Sequence, residues 1–271
     1  AKGTHQGFAC WRWSSSSLNE AATLAQEAAR RIAERFHARE NLQRGYGYPD
    51  RPVREPVLRE IRAPDGELAG AITRNSYGAL VLNTARVMFA DVDLPEPRSS
   101  GGGWLKKLFG KPEPSAACAA EESALARAEA WRRGHSGWGW RVYRTKAGLR
   151  LVATHALFDA DGASTEQVFE ALGADPLYRR LCRTQKCFRA RLTPKPWRCG
   201  IQKPPSRWPW PDAKTEARFK EWETRYLRAC RDYATCEAIP WPGDPQVDPT
   251  VQLILGIHDK ITLAGSRLDL A

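Results

Sequence analysis

The sequence predicts an α+β fold: a ferredoxin-like antiparallel sheet core with helices added at the N- and C-terminal sides. Between residues 85 and 192, the patterns follow the order strand, helix, strand, strand, helix, strand. This order is that of the split βαβ unit. The segment ARVMFADVDL (85–94) is apolar almost throughout, as expected of a central strand. Lys146–Ala147 separates two further strand patterns, WGWRVYRT and GLRLVATH, which predicts a hairpin beside that central strand.

Residues 1–84 are predicted to form a helix and a strand pair that pack on the core. Over residues 15–39, apolar residues recur near helical spacing after serines that can cap a helix. The segments ELAGAITRN and YGALVLN are predicted as strands joined by a turn at Asn75–Ser76. The prolines of GYGYPDRPVREP (45–56) predict a loop between helix and strands.

The remaining elements of the core and the C-terminal part follow from composition and periodicity. Residues 95–117 are rich in Gly, Ser, Pro and Lys, which predicts a mobile insertion in the 85–192 core. Helices are predicted over 120–134 and over STEQVFEAL, capped by Ser164 and continued by DPLYRRLCRTQ, before a strand, KCFRARL. Residues 193–271 are predicted to hold a Pro/Trp-rich segment, a helix over TEARFKEWETRYLRACRDYATC and a final strand, TVQLILGI.

The charge of the chain favours a polyanionic partner. The sequence has 42 Lys and Arg against 31 Asp and Glu, a net charge of +11. No apolar stretch approaches the roughly 20 residues that cross a bilayer, so no membrane partner is expected. Seven cysteines without framework or zinc-site spacing predict reduced thiols, and a cytoplasmic location follows from these features.

Two carboxylates mark the exit of the predicted central strand. Asp91 and Asp93 are separated by one residue, so they share a sheet face. Carboxylate oxygens suit Mg²⁺ or Mn²⁺, and two such ions can hold the attacking and leaving oxygens of phosphoryl transfer. The alternative is that both side chains are solvated where the strand ends.

The predicted hairpin brings groups that suit a triphosphate beside these acids. Thr145, Lys146, Gly148 and Arg150 offer a hydroxyl, backbone amides and cations. Further along, His155 could donate to a phosphate, and Asp159 could serve as a third metal ligand. The alternative is an ordinary tight turn followed by a histidine that ends a strand.

An hhhDhD segment followed by a strand–turn–strand resembles the catalytic palm of the archaeo-eukaryotic primase–polymerase superfamily. The resemblance covers about residues 85–160 and implies that Asp91 and Asp93 bind catalytic metals. It also implies that the hairpin, at Thr145, Gly148 and Arg150, holds the phosphates of an incoming nucleotide.

Two departures from the family pattern accompany this resemblance. The family usually has histidine where this chain has Arg150. The strand KCFRARL lacks the acid that completes the metal site in the family, which leaves Asp159 or Asp161 as substitutes. His258–Asp259 also resembles an HD metal pair, but further ligands for it cannot be assigned from sequence.

A basic and aromatic stretch predicts contact with nucleic acid. Cations that bind phosphates, interleaved with aromatic rings that stack on bases, are typical of single-strand binding. The candidate residues are Arg179, Arg180, Arg183, Arg189, Arg191, Lys195, Trp197 and Arg198. The alternative for the nearby Trp208 and Trp210 is that they fasten a proline-rich segment to the core.

The sequence therefore predicts metal-dependent nucleotidyl transfer on nucleic acid, with nucleoside triphosphates as substrates. One alternative is a non-catalytic nucleic-acid-binding protein on the same scaffold. Another is a metal-dependent nuclease or phosphoesterase that uses the same carboxylates. The sequence leaves the choice between DNA and RNA open, and also the oligomeric state.

Overall fold

The computed structural model describes residues 10, 12, 14, 16–38, 54–95, 116–242 and 246–271. The chain divides into two compact units, residues 1–53 and residues 54–271. The first unit contains helix α1, Leu18–His37, which begins where the Ser17 side chain accepts a hydrogen bond from the Glu20 amide. The helix predicted over residues 15–39 is thereby confirmed.

The second unit contains eight described strands in two antiparallel four-stranded sheets. The strands are β1 (Val57–Arg62), β2 (Leu68–Arg74), β3 (Leu80–Thr84), β4 (Phe89–Asp93), β5 (Trp140–Thr145), β6 (Gly148–Ala153), β7 (Phe188–Arg191) and β8 (Cys236–Ile239). One sheet has the order β1–β2–β3–β7 and the other the order β4–β6–β5–β8. The predicted central strand and the predicted hairpin therefore lie side by side in one sheet.

The helices of this unit lie between and after the strands in sequence. They are α2 (Ala116–Gly134), α3 (Ala163–Leu172), α4 (Pro176–Gln185), α5 (Ala213–Ala229) and α6 (Pro249–Thr262). Short 3₁₀ turns occupy Pro196–Cys199 and Cys230–Asp232. Among the described residues, no helix is long and apolar enough to cross a membrane.

The fold is mixed α+β, but the ferredoxin-like topology is not confirmed. Strands β4 and β5 lie on either side of β6, as a split βαβ unit requires. The fourth strand of such a unit, β7, should pair with β4. It pairs instead with β3 of the other sheet, where Arg191 lies opposite Val81. The free edge of β3 therefore pairs with β7, the strand that was expected to complete the other sheet.

The final strand predicted over TVQLILGI is wrong, because these residues belong to helix α6. The Asp248 side chain caps the helix by accepting from two backbone amides, and Pro249 fills the first turn. The buried residues Val251, Ile254, Leu255 and His258 follow helical spacing. The β-branched residues in this segment suggested a strand, but burial on one helical face decided the conformation.

Two further sequence predictions are corrected at element ends. The helix predicted over 215–236 ends at Ala229, and Cys236 begins β8, which adds to the edge of the second sheet. Ser164 does not cap α3, because Gly162 stands at the cap position without a side-chain hydrogen bond. The proposed insertion at 95–117 falls almost entirely outside the described residues, and the division at residues 84 and 192 stays a prediction.

Apolar side chains from both sheets and from α2, α3, α4 and α6 form the main core. Phe89 and Leu151 of the second sheet and Leu82 and Phe188 of the first are all nearly inaccessible to solvent. A smaller apolar cluster forms around α5 and includes Trp222. The polar residues discussed next lie at the edge of the main core, where β4 ends.

Candidate functional site

The exit of β4 and the turn of the β5–β6 hairpin converge, as the sequence predicts. In the antiparallel pairing of β4 with β6, Asp91 lies opposite Arg150 and Asp93 lies opposite Gly148. The Leu94 amide donates a 2.9 Å hydrogen bond to the Ala147 carbonyl in the hairpin turn. The two acids therefore share a sheet face next to the predicted phosphate-binding turn.

Asp91 is engaged by a buried arginine rather than open to a ligand. Arg150 Nε donates to Asp91 Oδ1 at 2.8 Å, and Nη2 donates to Oδ2 at 3.1 Å. The Arg150 side chain is 4% exposed and that of Asp91 is 29% exposed. Burial alone would lower the pKa of the Arg150 guanidinium, but the charge and hydrogen bonds of Asp91 raise it. Asp91 thus keeps a buried cation charged, with both carboxylate oxygens occupied.

Arg150 also joins a polar network that reaches helix α6. Its Nη1 donates to the Arg191 carbonyl at 3.1 Å and lies 3.4 Å from His258 Nε2. Burial lowers the pKa of the fully enclosed His258, so the ring is neutral and Nε2 accepts from Arg150. Its Nδ1 then donates to Asp259 Oδ1 at 2.9 Å, and the Tyr143 hydroxyl donates to the same oxygen. The His258–Asp259 pair is therefore part of a hydrogen-bond network that fixes Arg150.

Asp93 is the more exposed of the two acids. Partial burial, together with the nearby charges of Asp175 and Asp91, raises its pKa. Asp175 was not among the predicted site residues. It caps helix α4, and its amide donates to the Asp91 carbonyl at 3.0 Å. The Asp-Pro pair at the start of α4 signals a helix cap in the sequence, but nothing local places it beside β4.

The predicted third metal ligand lies at the opposite end of β4. Asp159 Oδ1 is 3.8 Å from Arg86 Nε, and the neighbouring Phe158 amide donates to the Arg86 carbonyl. Arg86 precedes β4, whereas Asp93 ends it, and five residues of strand span about 13 Å. Asp159 therefore does not join Asp91 and Asp93.

The described residues do not fit the predicted Mg²⁺ or Mn²⁺ site. Among them, no group of three or more His, Cys, Asp or Glu side chains is placed to hold a metal ion. Asp91 gives both oxygens to Arg150, and the Asp175 carboxylate near Asp93 accepts hydrogen bonds from two backbone amides at the start of α4. Neither acid is therefore ready to coordinate an ion shared with Asp93.

His155 is also distant from the end of β4. Its Nδ1 accepts a 3.4 Å hydrogen bond from the Gly139 amide, and its ring lies 4.3 Å from that of Trp138. Both partners precede β5, at the end of the sheet away from the hairpin turn. Burial lowers the pKa of the His155 imidazole. The ring belongs to an aromatic cluster, so the role predicted for it at a phosphate is not supported by its position.

The hairpin residues have structural roles of their own. Thr145 Oγ1 donates to the Gly148 carbonyl at 3.1 Å, as in an ordinary tight turn. A Cβ at Gly148 would lie 2.0 Å from the Val92 carbonyl oxygen, so glycine is required for β4 to approach. Even so, Thr145, Lys146 and Gly148 together line an open cavity of about 370 Å³, which Glu121 also borders.

Four of the predicted nucleic-acid contacts are dispersed. Arg189 Nη2 donates to both oxygens of Glu55 at 2.8 and 2.9 Å, and both side chains are under 10% exposed. Arg179 forms an ion pair with Glu166. Arg180 and Arg183 are exposed on α4. Two of these four arginines are therefore paired with glutamates, and the other two lie on the exposed side of α4.

The other three cations converge and are named here the cation cluster: Arg191, Lys195 and Arg198. Burial, and then the charges of Arg150 and Arg198, lower the pKa of Arg191 to about 10. Burial, Arg191 and Arg198 likewise lower the pKa of Lys195, while Asp93 opposes them. Among the described residues, the buried Nε of Arg191 has no hydrogen-bond partner. The cluster therefore holds mutually repelling charges and a polar atom whose desolvation is not compensated.

The three tryptophans of the proline-rich segment differ in environment. Trp197 is 46% exposed and Trp208 is 38% exposed. Trp210 packs 5.0 Å from Phe219 in the small apolar cluster around α5. The alternative that these rings fasten the segment to the core holds for Trp210, whereas Trp197 keeps a large surface in solvent.

Comparison with known protein families, curated proteins and solved structures finds no match to this chain. The resemblance to the primase–polymerase superfamily therefore stays a prediction from short motifs. The contacts around Arg150 and Arg191 are the observations on which a function can be based.

Proposed function

We propose that this protein binds nucleic acid and that the phosphates of the nucleic acid contact the cation cluster. The observation that carries the proposal is the Arg191 side chain. Its Nε is buried without a hydrogen-bond partner among the described residues, and two further cations lie close enough to lower its pKa. Buried charges in proteins are normally paired, so we expect the Arg191 guanidinium to bind an anion.

A phosphate group suits these cations better than a carboxylate from the chain itself. A phosphate carries several acceptor oxygens, and guanidinium groups bind such oxygens through paired hydrogen bonds. Arg191 is half-buried as a residue, whereas Arg150 and Arg189 are nearly inaccessible to solvent. The acids nearby do not cancel the three charges of the cluster, because Asp91 is paired with Arg150 and Asp93 supplies a single carboxylate. The net charge of +11 adds long-range attraction for a polyanion.

Nucleotidyl transfer with nucleoside triphosphates and Mg²⁺ or Mn²⁺ is a second candidate. The shared face of Asp91 and Asp93, beside Thr145, Lys146 and Gly148, favours it. The pairing of Asp91 with Arg150 weighs against it, and the same holds for a metal-dependent nuclease. Binding therefore ranks first because it requires neither a metal ion nor release of Asp91.

The binding proposal is tested by fluorescence anisotropy with a labelled oligonucleotide in EDTA, over about 50 to 200 mM salt. We expect affinity to fall steeply with salt. The Arg191→Met variant should bind more weakly, and its slope of log K against log salt should be shallower by about 0.7–0.9, as for one lost phosphate contact. Arg133→Met is the matched control, because Arg133 is 75% exposed at the end of α2 and pairs with Glu129.

A salt-independent affinity, or equal losses in the two variants, would contradict the proposal. The same oligonucleotide incubated with Mg²⁺, with and without nucleoside triphosphates, separates the candidates. Extension would favour nucleotidyl transfer, shortening would favour a nuclease, and an unchanged strand with retained binding would favour the binding protein.

A further inference from the structure

Trp197 is an exposed aromatic residue with two lysine ammonium groups over its ring. The residue is 46% exposed, and its position is held by an edge-to-face contact with Tyr77 at 5.3 Å between centroids. The Nζ atoms of Lys195 and Lys203 lie 5.6 and 5.7 Å from the ring centroid. A large, partly fixed ring with adjacent cations is thus presented to solvent.

This surface is continuous with the cation cluster through Lys195. The Lys195 ammonium lies beside the Trp197 ring, and its pKa is also lowered by the charges of Arg191 and Arg198. Trp197 and Arg198 are adjacent in the 3₁₀ turn Pro196–Cys199. A ligand whose phosphates contact the cluster would therefore place its next group near the ring.

Packing accounts for Trp222 and Trp210 but not for the exposure of Trp197. Trp222 is 4% exposed, and its Nε1 donates to the Gln202 carbonyl at 2.8 Å. Trp210 lies in the small apolar cluster. Two lysines over the Trp197 ring supply cation–π contacts, and nearly half of the residue stays exposed to water.

We infer that the ligand is single-stranded nucleic acid, with one unpaired base stacked on Trp197 and the adjoining phosphates on the cation cluster. This inference rests on the proposed function. An unpaired base exposes a π-face that an aromatic side chain can cover, whereas bases in a duplex are already stacked on each other. The ammonium groups of Lys195 and Lys203, which lie over the ring in the free protein, would then move to the phosphates on either side of that base.

The test compares a labelled single strand with the duplex of the same sequence, by anisotropy at fixed salt. Stacking of one base is worth about 1–3 kcal/mol, so Trp197→Ala should weaken single-strand binding by about 5- to 150-fold. Duplex affinity and the salt slope should stay unchanged, because the phosphate contacts remain. Trp197→Phe should retain most of the affinity. Leu177→Ala, at a residue that is 51% exposed on α4, is the control for loss of apolar surface.

The outcomes separate this inference from the proposed function. If Trp197→Ala binds the single strand as well as wild type while Arg191→Met is weakened, the stacking inference is overturned and phosphate binding stands. Wild-type preference for the duplex would overturn the stacking inference in the same way. If wild type binds neither form with salt-dependent affinity, the proposed function itself fails. Circular dichroism of each variant confirms that weakened binding does not reflect unfolding.

Discussion

Two arginines on β7, Arg189 and Arg191, differ in environment although the sequence assigns them the same role. Arg189 is buried against Glu55, whose two carboxylate oxygens accept from Arg189 Nη2 and whose side chain is 4% exposed. Arg191 lies two residues further and has a buried Nε without a partner among the described residues. Its near neighbours include two other cations, Arg150 and Arg198. The Arg189 guanidinium is paired within the fold, and Arg191 is the residue that the binding proposal assigns to a ligand phosphate.

The difference between the two arginines lies in whether a carboxylate distant in sequence reaches the guanidinium. Glu55 is 134 residues from Arg189 in sequence, and no spacing rule links them. The same lesson applies to Arg150, which the sequence predicts as a phosphate ligand and which the fold pairs with Asp91. In both cases a carboxylate distant in sequence accepts hydrogen bonds from the guanidinium, whereas the Arg191 Nε has no hydrogen-bond partner among the described residues.

The largest expected effect contrasts Arg189→Met with Arg191→Met. Loss of one partner from a buried ion pair leaves the other charge uncompensated, so Arg189→Met should lower the free energy of unfolding by about 3–5 kcal/mol. Arg191→Met should be within about 0.5 kcal/mol of wild type or more stable, since it removes a partly buried charge from among other cations. Urea denaturation without ligand measures both. Equal destabilisation would show that Arg191 also has a structural partner.

A somewhat smaller effect is expected from Asp91→Asn, of about 3 kcal/mol, because Arg150 would stay buried without its counter-charge. Asp93→Asn should leave the free energy of unfolding unchanged or raise it, because the folded protein disfavours the charge of Asp93. Chemical denaturation of the two variants at neutral pH checks the contrast. If Asp91→Asn unfolds at the wild-type midpoint, the Asp91–Arg150 pair does not carry the stability assigned to it.

A phosphate probe tests whether Arg189 and Arg191 also differ in ligand binding. Inorganic triphosphate at 100 times its Kd should stabilise wild type by about 2.7 kcal/mol. Arg191→Met should gain clearly less at the same concentration, whereas Arg189→Met should keep the full increment on its lower baseline. Denaturation with and without the probe measures both increments. An undiminished increment in Arg191→Met would place the phosphate elsewhere.

The smallest effect concerns the pH dependence of Asp93. Its pKa in the folded protein is raised by partial burial and by Asp175 and Asp91, so the folded state binds this proton more tightly than the unfolded state. Its charge therefore destabilises the fold above the folded pKa, and protonation relieves this as pH falls toward the unfolded value. The stability gained by Asp93→Asn should be full at neutral pH and shrink on acidification. If the stability gained by Asp93→Asn grew on acidification, the pKa of Asp93 would be lowered rather than raised in the folded protein.

Local patterns in the sequence predicted much of the fold correctly. The alternation around Asp91 and Asp93 and the turn at Lys146–Ala147 gave β4 and the β5–β6 hairpin, whose convergence the structure confirms. These predictions rest on contacts between residues close in sequence, or on strand periodicity. The prediction of a strand over TVQLILGI was wrong. It followed the β-branched residues of the segment, whereas the Asp-Pro helix start and the helical spacing of apolar residues indicate a helix.

The candidate site was predicted only in part. Arg191, Lys195 and Trp197 were among its predicted residues, but so were Asp159 and His155, which lie at the other end of the sheet. Their distance from Asp93 depends on how the chain turns after β6. Asp175 was missed for the complementary reason, since it approaches Asp93 only when α4 packs beside β4.

By itself, the sequence determined the charge excess, the strand that ends in two acids, the hairpin beside it and the basic segment that ends in Trp197. These depend on residue type and on periodicities of two or three to four residues, which act locally. Only the tertiary structure decided which cations are neutralised, because an ion pair depends on separation in space between groups far apart in sequence. In the folded chain Glu55 forms an ion pair with Arg189 and Asp91 forms one with Arg150, whereas the Nε of Arg191 has no hydrogen-bond partner in the described part of the chain.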